Sequence, residues 1–74
     1  MKHVIRKYVL LMSRVLPEEY DASKTFKELH VDSLKVVELL MILEDIYIIE
    51  INEDLCGDTP RSLCTYMTKL LTKQ

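Results

Sequence analysis

Apolar residues near the start of the chain recur every three or four positions: Val4, Ile5, Tyr8, Val9, Leu11, Met12 and Val15. That spacing predicts an amphipathic helix over 2–16, with the basic residues on its other face. Pro17 closes it, because proline disfavours helical geometry in the residue before it. Periodicity then lapses from Pro17 to Val31. Within that stretch Thr25-Phe26-Lys27-Glu28 has the spacing of a capping box on a short helical turn, with Phe26 and Leu29 as apolar anchors. A connection this long in so short a chain spans a bundle or carries function.

The second long helix is predicted from Asp32 or Ser33 to about Tyr47, with the Asp32 carboxylate as N-cap. Val36, Leu40, Leu43 and Tyr47 form one face, and Leu34, Glu38, Met41 and Asp45 the adjoining one. Leu39 and Ile42 leave this helix apolar almost all round, more than packing in a small bundle requires. Some of that surface is therefore expected to meet a ligand or a partner. Ile48 to Asn52 alternates too briefly for a sheet and reads as an extended link. Asn52 can cap one turn through Glu53, Asp54 and Leu55, ended by Gly57. Thr59-Pro60 restarts a helix whose inward stripe is Leu63, Met67, Leu70 and Leu71. The expected fold is all-α: three main helices plus one short helix, a small four-helix bundle, as one domain over 1–74.

Composition agrees with a compact helical domain, since 49% of the 74 residues are hydrophobic and only one is glycine. The longest apolar runs, Tyr8–Met12 and Leu39–Leu43, are too short to span a bilayer. Arg6, Lys7 and Arg14 interrupt the N-terminal apolar positions, which argues against a signal peptide. The chain thus reads as cytoplasmic, with no membrane insertion. Cys56 and Cys64 lack metal-site spacing and a nearby histidine, so two reduced thiols are expected, with Cys64 facing the core.

The net charge of −2 conceals segregation: residues 1–16 carry +4, residues 17–58 carry −9 and residues 59–74 carry +3. An acidic middle repels nucleic acid and suits partners with basic surfaces. For most of these acids, solubility alone is an adequate role.

Ser33 is the candidate for chemistry. A nucleophilic serine needs a base, an orienting group and an oxyanion hole. His30 is near in sequence, but no third group and no Gly-rich turn accompany it, so His30 reads as a partly exposed loop residue. A serine can instead be the acceptor that another enzyme modifies. That role needs an exposed hydroxyl at a rigid helix start, and helix-end dipoles there favour an attached phosphodiester.

The stretch Phe26 to Ile51, "FKELHVDSLKVVELLMILEDIYIIEI", resembles the central motif of acyl carrier proteins, F-x-x-L-G-x-D-S-L followed by V-E-L-x-M-x-L-E-[DE]-x-[FY]-x-I-x-I. Asp-Ser-Leu alone is weak; the specificity lies in about two dozen contiguous residues with matching spacing and matching helices on either side. The resemblance implies a 4′-phosphopantetheine arm on Ser33, flanked by Asp32 and Leu34, installed from coenzyme A by a separate phosphopantetheinyl transferase. It further implies a non-catalytic monomer holding acyl groups as thioesters for enzymes of fatty-acid, polyketide or related lipid synthesis. Glu38, Met41, Glu44 and Asp45 correspond to the partner-recognition face, and Lys35 joins them where fatty-acid carriers often have an acid.

His30 stands where the family usually has glycine, and Val31 stiffens the approach to Ser33. Ile46 and Ile48 replace positions often polar. These departures point away from the housekeeping fatty-acid role. Two other readings stay open: an aminoacyl or peptidyl carrier, against which the Glu44-Asp45 pair argues, and an unmodified helical interaction module. A surplus of apolar side chains at Leu39, Ile42 and Ile46 would also let an acyl chain enter between helices.

Overall fold

The computed structural model describes residues 1–72, and Lys73 and Gln74 lie outside them. Three α-helices, α1 (Lys2–Met12), α2 (Ser33–Tyr47) and α3 (Pro60–Thr72), are joined by segments that hold two single 3-10 turns, Pro17–Glu19 and Glu53–Leu55. No strand occurs among the described residues. The expected all-α bundle is therefore present, with the short fourth element reduced to one 3-10 turn rather than a helix.

The core draws on every segment. Ile5 and Val9 come from α1, Leu39, Leu40 and Leu43 from α2, Leu63 and Met67 from α3, and Phe26, Leu29 and Val31 from the long connection. The last three act as a substitute for a fourth helix wall. They account for Leu39, which looked surplus as part of α2 alone but is fully buried in one cluster with them. Ile42 is half-buried, and only Ile46 of the supposed surplus is exposed.

α1 ends at Met12, four residues short of the predicted boundary. Ser13 turns extended, with its amide on the Val9 carbonyl, and its hydroxyl accepts from the Val15 amide at 3.5 Å. Serine competes in this way with helix continuation. The freed Met12 carbonyl is capped from outside by Lys35 Nζ at 3.0 Å, a contact between α2 and α1 that local sequence does not disclose.

The long connection runs to the far end of α1, where Tyr20 and Ala22 lie beside Lys2 and Arg6, and then returns to α2. Backbone bonds hold it against the approach to α3: the Phe26 amide donates to Asp58 at 2.8 Å, and the Arg61 amide to Ala22 at 2.9 Å. The predicted capping box forms in both directions, Thr25 amide to Glu28 Oε1 and Glu28 amide to Thr25 Oγ1, each 3.0 Å. At α3 Thr59 caps the Ser62 amide at 3.0 Å, and Ser62 Oγ accepts from the Thr59 amide at 3.2 Å. Gly57, at φ +71°, must be glycine on two counts: its left-handed backbone, and the Ser62 side chain that any Cβ would strike.

Two other residues take the left-handed conformation without being glycine, His30 (φ 62°) and Ile48 (φ 53°). Each is followed by an amide that reaches five residues back, Val31 to Phe26 at 2.8 Å and Ile49 to Glu44 at 3.3 Å. This is the Schellman ending of a helical turn, which favours glycine at the left-handed position. Ile48 is the more strained of the two, since β-branched side chains rarely adopt this region. It is also 86% exposed, so little packing compensates. Replacing Ile48 with Gly is expected to raise unfolding stability by about 1 kcal/mol, read from urea denaturation; a loss of stability would show that the exposed side chain packs after all.

Candidate functional site

The N-terminus of α2 is built by Asp32 and Lys35. The Asp32 carboxylate accepts from the Lys35 amide at 2.9 Å, while Asp32 itself remains extended, so the helix starts at Ser33. Ser33 is exposed at the first helical position. The amides of Ser33 and Leu34 have no acceptor within the helix, as in the first turn of any helix. An oxyanion attached to Ser33 would therefore meet backbone donors and the positive end of the helix dipole.

Ser33 lies on the rim of an open groove of about 660 Å³. One wall is the one-turn segment before α2, with Phe26, Lys27, His30 and Val31; the other is the approach to α3, with Glu53, Gly57 and Asp58. Val36 continues the apolar floor along α2. Lys27 and His30 can face an anion, whereas Phe26, Val31 and Val36 can face a less polar chain. This donor set fits a phosphodiester followed by an amide-linked arm. Among the described residues no group of three metal-ligating side chains comes together. His30 is exposed, as expected, and its place in the fold is that of the left-handed residue ending the turn. That geometry explains why a glycine suits the position.

Sequence reasoning missed the second wall. Glu53 and Asp58 lie twenty or more residues from Ser33 in the chain, and only tertiary folding brings them to the groove. The lone glycine at 57, followed by Asp58 and the Thr59-Pro60 helix start, was the available signal for a tight, functional turn.

The other candidate residues separate into two groups. Leu34, Glu38, Met41 and Asp45 are exposed along α2, with Leu34 68% and Met41 59% accessible. Their spacing of four, three and four residues puts them on one stripe beginning next to Ser33. Lys35 and Glu44 are half-buried and bonded within the fold. Lys35 Nζ donates to Met12, and Glu44 Oε2 accepts from the Ile51 amide at 2.9 Å, fastening the link after α2. Both cysteines are free: Cys64 is half-buried and packs against the core, as expected, and Cys56 is fully buried as well, donating to the Asn52 carbonyl at 3.4 Å.

The turn leading into the site carries a pH-sensitive element. Glu28 has its carboxyl held below the usual range, first by the Thr25 amide and then by the Thr25 hydroxyl. A carboxylate depressed in the folded state stabilises above its unfolded pKa, and that contribution is lost as pH falls through its folded pKa. Glu28→Gln is expected to flatten the fall in stability between neutral pH and about pH 3, measured by urea denaturation at both. An unchanged slope would mean that the Thr25 contacts do not hold the charged form.

No helix among the described residues is long and apolar enough to cross a membrane. Comparison with curated proteins and with solved structures returned no match. The family model described as the phosphopantetheine attachment site matches residues 3–67, a span that includes all of α1 but Lys2, the long connection, the groove, α2 and most of α3. With this match over most of its length, the chain belongs to the phosphopantetheine-attachment family of carrier proteins, whose members bear a covalent 4′-phosphopantetheine and interact with a phosphopantetheinyl transferase and further enzymes.

Proposed function

We propose that Ser33 is the attachment point and that the chain, taken as one carrier domain over 1–74, is a non-catalytic acyl carrier protein. The observation that carries this reading is the exposed Ser33 hydroxyl, fixed at the start of α2 by the Asp32 cap and opening onto the groove. When bound, the arm supplies a terminal thiol that holds cargo as a thioester. The protein's own groups position and shield. Asp32 sets the helix start, the first amides of α2 with Lys27 and His30 face the phosphodiester, and Phe26, Val31 and Val36 offer an apolar wall. The acidic stripe on α2 supports acyl rather than aminoacyl or peptidyl cargo. The pathway, whether fatty acid, polyketide or another lipid, follows from the enzymes that load it.

Incubation of the unmodified chain with coenzyme A and a broad-specificity phosphopantetheinyl transferase is expected to add one phosphopantetheine mass, and Ser33→Ala to abolish the gain. Folded chain that gains no mass beside a working control carrier would overturn the assignment and favour an unmodified interaction module.

Partner docking is assigned to Leu34, Glu38, Met41 and Asp45. Lys35 and Glu44 support that face by tying down the two ends of α2. Charge steers encounter with basic partners, while Leu34 and Met41 add small adaptable contacts, which suits a carrier that must leave each enzyme quickly. Reversing both acids (Glu38→Lys with Asp45→Lys) is expected to slow transferase modification about tenfold at low salt, with the difference shrinking as salt rises. Equal rates at every salt concentration would move the docking face elsewhere.

A further inference from the structure

A second concavity lies where the long connection turns back beside the start of α1, and it shares no residue with the Ser33 groove. It measures about 280 Å³, just under the roughly 300–1,000 Å³ of drug-sized sites, and so is scaled to a small ligand. Its floor is apolar, formed by Ile5, Ala22, Pro60 and the half-buried Cys64. Lys2, His3, Arg6 and Arg61 surround it, and no acid is among its lining residues. The Arg6 guanidinium sits 5.8 Å from the centre of the Tyr20 ring, which holds it at the rim. Asp21, the adjacent acid in the chain, uses its carboxylate on the Ser23 amide at 2.8 Å. Neither α1 nor α3 has an acid in its first turn, so the cations stand where helix ends favour negative charge.

We infer that this cleft binds a small amphipathic anion, a single carboxylate-type head on a short apolar tail. The tail lies on Ile5, Ala22 and Pro60, and the head is held by Arg6 and Arg61, whose planar donors suit an oxyanion. The inference rests on the cavity and its ring of positive charge, and is independent of modification at Ser33.

Titration of the full chain with octanoate, followed by amide chemical shifts, tests it. Saturable shifts centred on Ile5, Ala22 and Cys64 are expected, with octanol (tail alone) and acetate (head alone) each binding at least about tenfold more weakly. The double variant Arg6→Gln with Arg61→Gln should weaken octanoate about tenfold; both side chains are exposed, and an unchanged helical circular dichroism spectrum confirms its fold. In the unsubstituted chain octanoate should slow alkylation of Cys64. The inference is overturned if octanol binds as well as octanoate, if the shifts fall on the Ser33 groove, or if the double variant keeps full affinity.

Discussion

One residue joins the two ends on which the site depends. Lys35 gives its amide to the Asp32 carboxylate and its ammonium to the Met12 carbonyl. The first bond places the start of α2 one residue before Leu34; the second pins that start to the end of α1. An N-cap contributes about 1 kcal/mol, modest in a large protein but substantial in a chain this small. Because Ser33 follows the cap directly, the hydroxyl is presented by backbone geometry rather than by contacts of its own. The modification proposed for Ser33 would leave both of these bonds intact.

The long connection deserves to be seen as part of the same device. It contributes three buried side chains to the core and one wall of the groove, and its terminal turn hands the chain to Asp32 through a left-handed His30. Its hold on the approach to α3, through Phe26 and Arg61, keeps the opposite wall in place. Core, groove and helix start are thus coupled through backbone bonds, and a small domain acquires a defined cleft without a fourth helix.

Much of this was legible in the sequence where the determining interactions are local. The span of α2, the Thr25–Glu28 capping box, the Asn52 turn and the Thr59-Pro60 helix start all depend on residues within a few positions of one another, and all form as read. The misreadings share the opposite cause. α1 stops early with a cap supplied from α2, Leu39 is buried by a loop that carries no periodic signal, and the second wall of the groove arrives from beyond residue 52. The burial of Cys56 went unread because burial in a turn leaves no helical stripe to count. Lys35 and Glu44 looked like surface charges until their partners, Met12 and Ile51, were brought to them by folding.

In the proposed role, with cargo held as a thioester, the burial of Cys56 has a chemical consequence. A thiol of its own near the arm would be a competing nucleophile, able to capture the acyl group by exchange and strand it on the protein. Cys56 sits next to Gly57 and near Glu53, both in the groove wall, yet it is enclosed. Burial, followed by the Glu53 and Glu44 carboxylates, pushes its pKa up to about 11. At neutral pH only about one such thiol in ten thousand is ionised, and the thiolate is the attacking form. In the proposed role the fold thereby keeps Cys56, the sulfur beside the groove, protonated and enclosed, while the half-buried Cys64 lines the other cleft.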